Sequence, residues 1–220
     1  MDRQPENIAL VLFSRNGVKP AVDATATVAP SASVVGNVTV GARSYIGHGA
    51  VVESSGPPVE LGSGVLVMAN TVIRSTGGRH RPPFPVTVGA NSLVGPQSAL
   101  IGCRIGADCY VATAVIVFQG AEVGDGTRVG AGSIVHAGAL LPPASRVGFR
   151  QVAVPDDTGV RVTSDLDEAR RLVGQADFFG KVFDAREDDT VTLHRQVIET
   201  LQREVSEWHD EPTTGPSPAV

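Results

Sequence analysis

An aliphatic side chain returns at every sixth position through most of the chain. Val22, Val28, Val34, Val40, Ile46 and Val52 form the first run, Leu61, Val67 and Ile73 the second, and Val88, Val94 and Leu100 the third. One five-residue step leads to Ile105, and the step of six then runs unbroken through Val111, Val117, Val123, Val129, Val135, Leu141 and Val147. Small residues usually come next, as in Val40-Gly41, Val88-Gly89, Ile105-Gly106 and Val129-Gly130. A helix repeats near 3.6 residues and an amphipathic strand at two, so neither accounts for six. A very short strand followed by a tight turn does. One aliphatic side chain then points inward per strand, three strands close a triangular coil, and stacked coils pair in parallel at about 4.8 Å. The twenty positions predict a mostly β fold, a parallel β-helix over residues 21–150 with roughly six to seven coils.

The breaks in the period place the other elements. Glu53-Ser-Ser-Gly-Pro-Pro58 reads as a short turn-rich excursion, and Ser75 to Pro85 as a projecting loop, a natural seat for function on a rigid solenoid. Residues 1–20 contain the apolar segment Ile8–Phe13, expected to form a strand capping the end of the core. After about Gly148 the period stops, and 151–210 is expected to be a helical segment. Ser164, followed by Asp165, Asp167 and Glu168, reads as a helix N-cap with an acidic first turn. A second helix is predicted from near Thr190 to His209, with Leu193, Val197, Leu201, Val205 and Trp208 at helical spacing and Trp208 as a packing anchor. The polar, Pro-rich end, 211–220, is expected to be disordered.

Composition narrows the function classes. Twenty-five Gly and 15 Pro would suit disorder, but 42% hydrophobic residues in a regular pattern argue against it. A net charge of −5 with scattered basic residues offers no footprint for nucleic acid. No apolar run approaches the roughly 18 residues of a membrane span, and the N-terminal stretch lacks the basic start and small-residue cleavage site of a signal peptide. Cys103 and Cys109 have neither metal-type spacing nor enough partners for a disulfide framework, which makes a reducing cytoplasm the expected location.

The stretch from about Ser31 to Gly148 resembles the γ-class carbonic anhydrases within the wider hexapeptide-transferase superfamily. The likeness rests on Gly36-Asn-Val-Thr-Val-Gly41, Val86-Thr-Val-Gly89 and Leu100-Ile-Gly-Cys-Arg-Ile-Gly106, whose five-residue step is more specific than the repeat itself. It implies a left-handed coil, a homotrimer, and a zinc ion held between subunits by three histidines. Carried over by position, those ligands fall on Arg74, Pro96 and Ile101. None offers a zinc a donor such as imidazole, because Arg stays cationic and Pro and Ile have no donor atom. The family's Arg-Gly-Asp stretch reads Glu53-Ser54-Ser55 here, and a glutamine one hexad before the first ligand is Met68. The expectation is a rebuilt site with no metal at those positions.

Face counting puts Glu53, Arg74, Ile101, Phe118 and His136 in one column, each directly after an inward aliphatic residue. Arg74 and Glu53 about one rung apart suit either a structural ion pair in place of the metal or a site for a carboxylate or phosphate. In the second case Arg79, His80 and Arg81 would help from the loop. The favoured expectation is a zinc-free trimer that binds, or as an enzyme transforms, a small anionic carboxylate or acyl ligand at the subunit interface. Arg74, Glu53 and Arg81 would be its binding residues, and no cofactor is expected. One alternative is an acyl-CoA-dependent hexapeptide acyltransferase with His80 as catalytic base; another is a non-catalytic scaffold subunit. A displaced metal site built from His48, His80 or His136 across a trimer interface is a further possibility, whereas His194 and His209 read as solvated helix residues.

Overall fold

Each six-residue step folds as a strand of two or three residues and a turn, and every third strand stacks on the same face. The computed structural model describes residues 12–157, 159–186 and 189–213. They form a parallel β-solenoid with short C-terminal helices. Two faces carry seven strands each; the third carries ten, of which the outermost at either end is antiparallel. That makes seven full coils plus part of an eighth, at the top of the expected range. Inward side chains stack in register through the middle, Val52 on Ile73, Ile73 on Leu100, Leu100 on Val117 and Val117 on Val135. Eighteen of the twenty predicted inward residues are no more than 4% exposed; Val22 and Val28, in the first coil, are partly buried against the same core. The five-residue step between Leu100 and Ile105 is closed by Gly102 at φ +55°, where a Cβ would run into the Phe84 side chain. Glycine fits there because it tolerates the left-handed backbone and brings no Cβ into that space.

Several expectations need correction. The coil does not stop at Gly148. Ala153, one further step of six, is fully buried beside Val135, and its strand Val152–Asp156 folds back as a hairpin onto Gly159–Thr163. The 151–210 segment therefore opens with β-structure, hidden because a small Ala took the aliphatic position. The cap of the first helix, α1 (Leu166–Gln175), is Asp165 rather than Ser164; its carboxylate accepts from the amides of Asp167 and Glu168. An unforeseen six-residue helix, α2 (Phe178–Phe183), follows between left-handed Asp177 and Asp184. The last helix, α3 (Thr190–Ser206), starts at Thr190 as predicted, with Asp189 as its cap, but ends three residues short of His209.

The chain then returns to its beginning. Leu12–Arg15 is a parallel rung beside Ser33–Val35, and Asp210–Pro212 pairs antiparallel with it, Phe13 opposite Pro212. Thr213 adds a bond from its amide to the Leu12 carbonyl. Glu211 and Pro212, expected to be disordered, instead cover an exposed strand edge. Residues 214–220, and Ile8 to Val11 of the expected capping strand, lie outside the described residues.

Candidate functional site

The strand ladder builds the predicted column. Arg74 pairs with Glu53 on one side and with Ile101 on the other, and Phe118 and His136 follow one residue after the paired Val117 and Val135. Arg74 Nε lies 3.0 Å from Glu53 Oε1 and donates to Ser55 Oγ at 3.1 Å. A second arginine shares the carboxylate: Arg15 Nη2 donates to Glu53 Oε2 at 3.4 Å and its Nη1 to the Ser54 carbonyl at 3.0 Å. Arg15 also grips Asp210 as a fork, Nε to Oδ1 at 2.7 Å and Nη2 to Oδ2 at 2.8 Å. Trp208 lies against both guanidinium groups, its ring centroid 4.1 Å from Arg15 Cζ and 5.1 Å from Arg74 Cζ. Two cations and two carboxylates thus balance at the first half of the column. Burial works against the Arg15 charge, but the Asp210 hydrogen bond and the Glu53 charge outweigh it and raise its pKa. The same hydrogen bond from Arg15 holds the Asp210 carboxyl below its ordinary value.

The loop residues are drawn into the same attachment. The loop is pinched at its base by mutual backbone bonds between Thr76 and Phe84. Arg81 points into the protein, 3% exposed, and meets Glu204 of α3 with two bonds of 2.7 and 3.1 Å while its guanidinium faces Phe183. His80 donates from Nε2 to Glu207 at 2.9 Å, and Arg79 reaches the other oxygen at 3.4 Å. The His80 bond, ahead of the charges of His80 and Arg79, keeps the Glu207 carboxyl below its ordinary value. The structure therefore brings Glu53 and Arg74 together, but Arg81 and His80 go to the chain's own last helix rather than to Arg74.

The repeat is recognisable beyond its geometry. The hexapeptide repeat of succinyl-transferase matches residues 37–75, 85–119 and 102–140. Over those residues the chain is similar to that repeat family. Its coil is similar to Gamma carbonic anhydrase 2, mitochondrial, of Arabidopsis thaliana, 32% identical over 105 residues, 47% of this chain and 38% of that protein. It is also similar to Carnitine operon protein CaiE of Escherichia coli (strain K12), 31% identical over 113 residues, 51% of this chain and 55% of CaiE. The matches thus span well under two thirds of these relatives' own length. Among solved structures, an acetyltransferase candidate from Bacillus cereus superposes with a TM-score of 0.56 at 21% identity, covering 89% of this chain and 97% of that one. A hexapeptide transferase family protein from Anaplasma phagocytophilum gives 0.50 at 20% identity, covering 90% and 96%. At such identities the superpositions speak for the fold alone.

Zinc, which the γ-carbonic-anhydrase likeness implies, does not fit this chain at the inherited positions. Arg74 places a cation there, already bonded to Glu53 and Ser55; its register neighbour Ile101 and the turn residue Pro96 have no donor side chain. The three candidate histidines do not converge within one chain. His48 Nδ1 bonds Ser31 Oγ at 2.8 Å, His80 holds Glu207, and His136 lies buried beside Phe118 and Phe178. Among the described residues no three His, Cys, Asp or Glu side chains form a metal-holding group.

The six-residue sequence pattern does not mark the partners that complete the cluster, Arg15, Asp210, Glu204 and Glu207. Trp208 was expected to anchor packing, with no indication of what it packs on. The acidic residues at 204 and 207 share the inward face of α3 with Leu193, Val197 and Leu201, which was a signal that this face meets cations.

Proposed function

We propose that this is a zinc-independent, γ-carbonic-anhydrase-like subunit that assembles as a homotrimer and serves as a structural, non-catalytic member of its assembly. One observation carries the reading: the column position that would face a metal is a charge-balanced cluster fastening the chain's own residues 204–213. A cluster whose cations are matched by Glu53 and Asp210, with Trp208 laid across it, is built to hold a segment down. Its place would be a reducing cytoplasm, where the buried Cys103 and Cys109 stay free thiols. Sedimentation should give a trimer, and the purified protein supplied with zinc should hydrate CO2 no faster than buffer. Zinc-dependent hydration, or protection of the protein by acetyl-CoA, would overturn the reading. Acyl transfer with His80 as base would require its bond to Glu207 to open first.

A second reading has an observation of its own. Arg74 remains 34% exposed, and its side-chain hydrogen bond among the described residues runs from Nε, leaving the terminal nitrogens for a small carboxylate or acyl ligand at a subunit interface. Glu53 would then orient Arg74, while Arg81 and His80 would hold the loop. Acetate titrated into isotope-labelled protein should shift signals near Arg74 and lose that effect in Arg74→Ala. No saturable shift would leave only the structural role.

A further inference from the structure

The second half of the column has no part in the attachment of residues 204–213. Here α1 and α2 close over Phe118 and His136 and leave a cavity of about 740 Å³, within the size range of small-ligand sites. Much of its wall is apolar: Phe118, Phe178, Phe179, Val173 and Leu193. The rings of Phe118, His136 and Phe178 stand 5.8–5.9 Å from one another at tilted or edge-on angles, forming one aromatic wall. His136, 7% exposed, belongs to that wall, and its buried Nδ1 has no hydrogen-bond partner among the described residues. Native proteins seldom leave such an atom without a reason.

The cavity lining holds one cation and one acid. Arg186 lines it and has no ion pair among the described residues, and Lys181 of α2 is near enough for its charge to act on His136. The acid of the lining, Asp177, turns back to accept the Gly180 amide at the start of α2.

The geometry points to a binding site for an apolar monocarboxylate, an acyl chain or aryl ring ending in one carboxylate. Its body lies against Phe118, Phe178 and Phe179, and its carboxylate meets Arg186. The site is contained in one chain and lies away from Arg74, so it stands whichever reading of the Arg74 cluster holds.

The test titrates octanoate, octanol and octylamine into the full chain by calorimetry. Octanoate should bind at a single saturable site with a Kd below about 1 mM, at least about tenfold tighter than octanol, with octylamine weakest. Arg186→Ala, at an exposed position, should bring octanoate down to octanol; Val173→Trp, which fills the cavity, should abolish binding of both. Arg128→Ala, on a distant coil, should change nothing, and circular dichroism confirms that each variant is folded. Equal affinity for octanoate and octanol, no saturation below about 1 mM, or unchanged binding in Arg186→Ala or Val173→Trp would overturn the assignment.

Discussion

Replacing Glu204 with Gln keeps the shape of the side chain and removes its charge, leaving the Arg81 guanidinium buried without a counter-ion. Arg81 is 3% exposed and Glu204 9%, so water cannot take over the lost contact. Breaking one side of such a buried pair costs about 3–5 kcal/mol, chiefly because an uncompensated charge is left behind. Two features pull the value toward the lower end: the Val182 carbonyl, 3.4 Å from Arg81 Nη1, and the Phe183 ring, 5.0 Å from Cζ. A loss of about 3 kcal/mol is therefore expected. It should fall on α3 rather than on the coil, because Glu204 touches the coil through its loop alone. Hydrogen exchange of the α3 amides should speed up about a hundredfold, since each factor of ten is about 1.4 kcal/mol, while the amides around Leu100 keep their protection. The double variant Arg81→Met/Glu204→Leu should recover most of the loss, because an apolar pair carries no desolvation cost. A change in Glu204→Gln within about 0.5 kcal/mol, the range of ordinary surface substitutions, or a double variant no better than the single, would refute the reasoning.

Acid should release the terminal strand before it unfolds the coil. The folded Asp210 carboxyl lies below its ordinary value through its bond to Arg15. Its contribution is therefore complete above the unfolded value of about 3.9 and disappears as pH falls through the folded one. Trp208 is the single tryptophan and sits on Arg15, so its emission should change below about pH 4 while the coil's circular dichroism persists; Asp210→Asn should show the released emission at neutral pH, and constant emission down to the coil's own unfolding would count against the contact. Burial pushes the Cys103 thiol up to about 12, so a thiol reagent at pH 8 should leave it untouched until denaturant is added; rapid native labelling would mean that the coil opens. Leu100→Ala, at a fully buried rung between Ile73 and Val117, should cost about 2–5 kcal/mol in thermal or urea unfolding. A loss under about 1 kcal/mol would show that neighbouring coils collapse into the space.

How much of this was written in the chain depends on the distance over which each contact acts. In a solenoid every inward residue meets one about three steps of six away, so Val117 and Val135 announce each other by their spacing. The same local rule recovered the outward column, including the Arg74–Glu53 pair across an insertion, because the extra residues Ser54–Pro58 leave the strand register intact. It failed where a small residue stood in for an aliphatic one, as at Ala153, and where six residues made a helix too short for a 3.6-residue period to show, as in α2. It could not reach the attachment of the C-terminal segment. Arg81 and Glu204 are 123 residues apart and Arg15 and Asp210 are 195 apart, with no period to connect them.

Arg74, Arg81 and His80 are each a polar side chain carried by the coil or its projecting loop. What sequence could not distinguish is whether the partner arrives from solution or from the same chain. For Arg81 the geometry answers this directly, because Nε and Nη2 of its guanidinium are taken by Glu204 and Nη1 by the Val182 carbonyl, in a buried space. His136 presents the reverse case. In the sequence it is a distant member of the arginine column and a candidate for a displaced metal site, yet it is a column residue with a buried nitrogen that has no partner among the described residues. A polar group already satisfied within the fold contributes to stability, whereas one left unsatisfied beside a cavity has a free-energy reason to meet a ligand. By that criterion the strongest case for binding moves along the same face, from the inherited metal position to the pocket beneath α1 and α2.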